Sequence, residues 1–219
     1  MHADASVPPA VIRLAAVGRL VIPVSHDISN PLAVVLGRIQ IHQARGSGGM
    51  PQGPAGLDGI YEHALLVSEK VHTIGSLARE AAQPGDPTPT VLSDHVAEIG
   101  LLLGRHLSRR GLELEYALPA ATPPVLVRPV DLKLCVAEVL LALCGAVSDP
   151  TPLRISADVR DRQVHLSIAA AGIDPGAVPM PDESGHLMAL FSGDGLALSA
   201  GEGFIISMPA VSLTPPSSG

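Results

Sequence analysis

Seven apolar residues near the start of the chain, Val17, Val21, Val24, Ile28, Leu32, Val35 and Ile39, follow one another at steps of 4, 3, 4, 4, 3 and 4. On an α-helix that spacing lays every one of them along a single stripe, so it predicts one long helix over 10–45. A break rich in glycine and proline, "GSGGMPQGPAG" at 46–56, ends it. A second helix is predicted over 58–82, where Ile60, Ala64, Val67, Val71, Ile74 and Ala78 again alternate steps of 4 and 3. Two striped helices joined by a loop make an antiparallel hairpin. A lone hairpin cannot bury both stripes. The expectation is therefore a homodimer, two hairpins closing into a four-helix bundle about a two-fold axis. The alternative is that the hairpin packs on the rest of its own chain.

The proline-rich stretch "QPGDPTPT" at 83–90 is stiff and marks a boundary. It divides a hairpin domain, 8–84, from a second domain, 90–212. Beyond it the pattern mixes periods of 3.6 and 2. Helices are predicted at 93–109, closed by Gly111, and at 131–147. Strands are predicted at 112–118, 153–159, 163–170 and 203–209, with "DR" at 161–162 as a hairpin turn. Residues 171–195 read as loop with a short helix, and "TPPSSG" as a disordered tail. The fold class is α+β: a helical hairpin followed by an α/β sandwich.

Composition removes several functions. A net charge of −7, with two Phe, two Tyr and no Trp, leaves neither a basic stripe for phosphates nor an aromatic platform for bases, so no nucleic-acid partner is expected. Cys135 and Cys144 are nine apart, on opposite faces of the predicted helix, and read as buried free thiols. The N-terminus lacks the basic and apolar regions of a signal peptide. Arg13 and Arg19 interrupt the most apolar N-terminal stretch, and no uninterrupted run reaches the ~20 residues of a membrane span. A cytoplasmic protein without a membrane partner is expected.

One stretch of the first helix carries chemistry, "SHDISNPLAVVL" at 25–36. His26 lies about 160° around the helix from Ile28 and so points away from the apolar stripe, towards solvent or a partner. Asn30 shares its face one turn on, and Asp27 is adjacent, about 100° around. An imidazole is largely neutral at pH 7 and can act as a nucleophile, and a neighbouring carboxylate can orient or accept the proton on its other nitrogen. Pro31 has no N–H and crowds the Asp27 carbonyl, which predicts a kink beside the histidine. The bland alternative is an exposed histidine next to a chance proline, and His2, His42, His63, His72, His95, His106, His165 and His186 are read that way. His63 and His72, nine apart on opposite helix faces, cannot share a metal ion, and no metal site is expected.

The stretch resembles the H-box of sensor histidine kinases, which runs His, acidic, two variable residues, Asn or Thr, Pro-Leu; here these are His26, Asp27, Asn30, Pro31 and Leu32. The helical hairpin is similar to that family's dimerisation and phosphotransfer domain. The resemblance implies that His26 is the phosphoacceptor, Asp27 its general base, and Asn30 the residue that places water for dephosphorylation.

The second domain should then resemble the family's ATP-binding domain, and in outline it does. The helix that in the family carries an Asn-Ala pair holding magnesium and phosphates has Gly145-Ala146 instead, and glycine offers magnesium no side-chain oxygen. Where the family has Asp-x-Gly-x-Gly reading the adenine, this chain has "AAAGIDPG", with Ala169 and Ala170 near the aspartate position, Gly172 retained and Asp174 several residues late. A third element survives as "GDGLAL", with Gly193 and Gly195 as a weak, vestigial nucleotide-binding pair. The family's following helix and one strand look deleted. Losing two such polar contacts removes roughly 1–3 kcal/mol of binding each.

Together these features predict a phosphorelay histidine phosphotransferase, with His26 carrying a phosphoryl group between response-regulator aspartates. It would need no cofactor of its own, the receiver partner supplying Mg²⁺, and the residues do not support ATP binding. An active histidine kinase with an unorthodox ATP site, or a non-enzymatic dimeric interaction module, are the alternatives.

Overall fold

A computed structural model describes residues 7–44, 55–147, 149–179 and 195–211. Two long helices come first, α1 (Pro9–Ala44) and α2 (Ala55–Ala82), packed against each other as a hairpin. They are followed by β1 (Thr88–Thr90), α3 (Leu92–Arg109), β2 (Leu112–Ala117), β3 (Val125–Val127), α4 (Pro129–Ala146), β4 (Thr151–Arg160), β5 (Gln163–Ala170), a 3-10 turn at Pro175–Ala177, β6 (Ala197–Ala200) and β7 (Phe204–Pro209). The fold is α+β, a helical hairpin followed by a mixed-sheet α/β unit.

The main sheet has the order β2-β4-β5-β7-β6. β2 and β4 are parallel, as the intervening α4 crossover requires, and the other neighbours are antiparallel. One sheet face supplies the core through Leu153, Ile155, Val164, Leu166, Ile168, Phe204, Ile206 and Met208, all buried under the helices. Alternation is cleanest in β5, where Val164, Leu166, Ile168 and Ala170 point in and the residues between them point out. α4 is apolar nearly all round and is correspondingly buried along its length. β1 and β3 form a separate small antiparallel pair.

Turn chemistry sets two junctions. Asp161 and Arg162 both have positive φ, 50° and 63°, as a two-residue hairpin turn demands, so the predicted "DR" turn joins β4 to β5. Gly111 follows α3 at φ 80°, where a side chain would meet the Cα of Pro150 at 3.2 Å.

Three short strands escaped the sequence pattern. β1 and β3 are three residues each, too short to show a period, and β6 is four residues in which Leu198 is the one large apolar side chain. β6 leads into β7 through a glycine turn, with Gly201 N–H donating to the Gly203 carbonyl at 2.9 Å, so no helix intervenes there.

The stripe on α1 divides into two parts. Ala16, Val17, Leu20 and Val24 are buried in a core continuous with that of the α/β unit, together with Leu77 and Ala81 of α2. Arg13 and Arg19 lie on this docked side. The Arg13 guanidinium donates to both oxygens of Asp131 at the start of α4, at 2.6 and 2.8 Å, and Arg19 donates to Glu138 at 2.9 Å. Val21, between two of these residues, is exposed, and further along Leu32, Leu36 and Ile39 of α1 and Leu65 and Val71 of α2 also remain exposed in the single chain. The hairpin therefore packs on its own chain at one end and leaves an uncovered apolar face at the other.

The stretch Pro9–Ile41 is long and apolar enough, by length and composition alone, to cross a membrane, although no uninterrupted run in it is. An average over many residues tolerates Arg13 and Arg19; a run does not. In this structure both arginines are committed to acidic partners on α4.

Candidate functional site

α1 continues without a break through Pro23 and Pro31, and His26 stands between them. Each proline deprives a carbonyl one turn back of its N–H partner, which for Pro31 is the carbonyl of Asp27. Pro23 and Pro31 are both buried, whereas His26 and Asn30 are exposed on the outer face. Ser29 Oγ donates to the Ser25 carbonyl at 2.8 Å on the same stretch. The imidazole and the amide share an accessible face, as the helical spacing predicts.

Asp27 lies in different surroundings. Its side chain is 0% exposed, and two cations from other elements meet it. Arg109 Nη1, from the last turn of α3, is 2.9 Å from Oδ1, and Lys70 Nζ, from α2, is 3.8 Å from Oδ2. Neither oxygen has a donor aligned on it among the described residues, so charge holds the carboxylate rather than directed hydrogen bonds. The Lys70 ammonium instead donates to the Leu102 carbonyl on α3 at 2.8 Å. Burial pushes Lys70 below the ordinary lysine range, against the opposing pull of Asp27. Three helices thus converge on one carboxylate.

The end of α3 completes the surroundings. His106 is pushed below its ordinary value first by burial and then by Arg110, with Asp27 pulling the other way and Arg109 and His26 adding to the depression. His26, Asp27, Arg109 and Arg110 therefore all lie within electrostatic reach of one imidazole. Lys70 likewise feels Arg105 and Arg109. The basic run "RHLSRRG" at 105–111 was visible in the sequence, yet no one-dimensional period ties it to His26. Its place beside Asp27 comes from α3 packing against α1.

A second polar cluster ties the far end of α2 to α3 and α4. Lys133, nearly buried on α4, lies 3.2 Å from Glu80 and 3.1 Å from Glu98, and His95 is 3.7 Å from Glu98. His95 is pushed below its ordinary value by burial, with Lys133 adding to the effect. Among the described residues no group of three or more His, Cys, Asp or Glu side chains is arranged to hold a metal ion.

The positions that correspond to a nucleotide site offer few donors. Gly145 is exposed in the last turn of α4, with open space where a side chain would project. Ala169 faces outward from β5 and Ala170 is buried beneath it. Asp174 is exposed, and its Oδ1 accepts from the Gly176 N–H at 2.9 Å, capping the 3-10 turn. Gly195 is exposed with φ 81°, while Gly193 lies outside the described residues. Cys135 and Cys144 are buried free thiols, and burial raises Cys144 to about 11, which leaves it inert as a nucleophile.

No protein-family profile matches the chain, and no curated protein does. Solved structures do. The chain is similar to the Acinetobacter baumannii histidine kinase AdeS at 17% identity over 84% of this chain and 98% of that one, with a TM-score of 0.44. It is similar to the histidine kinase ThkA, solved in complex with the response regulator protein TrrA, at 15% identity over 92% of this chain and 64% of that one, TM-score 0.46. A protein described as a bacterial phosphotransferase matches at 15% identity over 88% and 94%, TM-score 0.41. Those shares of this chain take in both the hairpin and the α/β unit.

Proposed function

We propose that this chain is a histidine phosphotransferase of the two-component type, carrying a phosphoryl group on His26 between the aspartates of receiver partners. One observation carries the proposal. An exposed imidazole sits on a hairpin helix in a complete H-box, with Lys70 and Arg109 against the neighbouring Asp27, while the positions that would hold a magnesium nucleotide present Gly145 and Ala169-Ala170. In the transfer, a lone pair on an imidazole nitrogen forms the N–P bond as the donor's acyl-phosphate O–P bond breaks. That electron pair leaves with the donor carboxylate, and the second ring nitrogen keeps its proton. Asn30, on the same face, places water for the reverse loss of phosphate. Asp27, buried against Lys70 and Arg109, takes no proton in this step, so in place of the general base that the resemblance implies it acts as a buried negative charge favouring the imidazolium that phosphorylation creates. Magnesium comes with the receiver, and ThkA, a similar protein, was solved with a response regulator.

The active form is a homodimer. The uncovered apolar residues of α1 and α2, Val21, Leu32, Leu36, Ile39, Leu65 and Val71, are those a four-helix bundle would cover.

Transfer is tested by incubating the protein with a receiver domain carrying labelled aspartyl phosphate. Acid-labile, base-stable label on wild type that is absent from His26→Gln supports a phosphotransferase. Label incorporated from ATP and lost in His26→Ala would favour a kinase instead. No label from either source would leave a non-enzymatic binding module.

A further inference from the structure

The cations around the H-box exceed what Asp27 requires. Arg109 is 41% exposed, and a guanidinium has five N–H donors, of which one nitrogen faces the buried carboxylate. The rest of the fork is exposed next to Asp27, the residue that follows His26 in the chain. Arg110 is exposed beside it, and Arg105 and His106 lie one turn back on α3. On a protein with a net charge of −7, this is a cationic spot beside the one imidazole placed for chemistry. Arg109 also ends a helix, where a cation is favoured by the helix dipole and the side chain is held by its own element.

Resting on His26 as the phosphoacceptor, we propose that Arg109 is a catalytic residue supplied by the α/β unit, bridging the buried Asp27 carboxylate and the phosphoryl group on His26. The phosphoryl oxygens bring up to two negative charges next to Asp27. Without a cation between them the like charges would repel, and a planar guanidinium is the side chain that can donate to a carboxylate and a phosphoryl oxygen together. The α/β unit would thereby act at the phosphotransfer centre without binding a nucleotide. The charged groups facing this point are Asp27 from α1, Lys70 from α2, and Arg105, His106, Arg109 and Arg110 from α3.

The test uses phosphoramidate, which charges an accessible histidine directly, followed by ³¹P NMR of the full-length protein. In wild type the phosphohistidine resonance should titrate at lower pH than in Arg109→Gln, by roughly half to one pH unit, the effect of one nearby cation in partly screened surroundings. Arg109→Lys should recover part of that difference, because it restores the charge and not the fork. The Asp27→Asn/Arg109→Gln pair leaves no unpaired carboxylate and keeps the experiment interpretable if the single variant unfolds. It should titrate above Asp27→Asn alone by a similar half to one pH unit, because those two variants both lack the carboxylate and differ only in the cation. An unchanged ³¹P titration in folded Arg109→Gln against wild type, or in the pair against Asp27→Asn, would overturn the role of Arg109 and leave the phosphotransferase function standing. Wild type that takes no label on His26 would overturn both.

Discussion

Replacing Asp131 by Asn tests whether the hairpin and the α/β unit fold as one body. Arg13 is 4% and Asp131 0% exposed at the side chain, and the guanidinium meets both carboxylate oxygens, at 2.6 and 2.8 Å. Removing one member of a buried pair costs about 3–5 kcal/mol, because the remaining charge stays out of water without its counterion. Two features favour the low end. The amide keeps one oxygen as an acceptor, and Arg128, 4.0 Å from the same carboxylate, is less buried than Arg13 and can turn to water. A loss of ~3 kcal/mol is therefore expected. With a urea slope of about 2 kcal/mol/M, the unfolding midpoint should fall by about 1.5 M. The companion variant Arg13→Met/Asp131→Leu, which exchanges the pair for apolar residues of similar size, should recover most of that loss. Equilibrium unfolding followed by far-UV circular dichroism measures both. A loss below ~1 kcal/mol in Asp131→Asn would mean that the pair is wet and that α1 is not docked on α4 as described.

Other outcomes follow from the same structure. A charge at Val71, 54% exposed and on the uncovered face, should shift Val71→Glu towards monomer in sedimentation; an unchanged dimer would put the seam elsewhere. His95 and His106 both have folded values lowered by burial, so below the ordinary histidine value of about 6.5 the unfolded chain binds more protons than the native one. Stability should therefore fall as pH drops from about 6.5 towards the lowered folded values, and His95→Gln should flatten that slope in urea titrations at stepped pH. Gly111→Ala places a side chain at φ 80° against Pro150, and should lose about 1–2 kcal/mol in thermal unfolding without altering label uptake at His26.

The elements were legible wherever a period ran long enough. The two hairpin helices, α3, α4, β4, β5 and the "DR" turn were all in the pattern of the chain, because 3.6-residue and two-residue repeats are local properties. β1, β3 and β6 were not. The first two are three residues each and are stabilised by partners distant in sequence, and β6 has four residues with Leu198 as its one large apolar side chain, too few to carry an alternation. The α1 stripe was legible as a stripe, but its division into a docked end and an uncovered end was not. That division depends on where α4 lies.

The same distinction holds at the site. The sequence by itself determined that His26 and Asn30 share a helix face and that Asp27 does not, since helical angles follow from residue spacing alone. It also determined that the positions which the resemblance assigns to a nucleotide hold glycine and alanine. Only the tertiary structure decided what Asp27 touches. The carboxylate is sealed by Lys70 and Arg109, side chains from two other helices, the second of them brought by the basic last turn of α3. Charge pairing acts through space and leaves no period along the chain. The partners of Asp27 became visible only once α2 and α3 were packed around it.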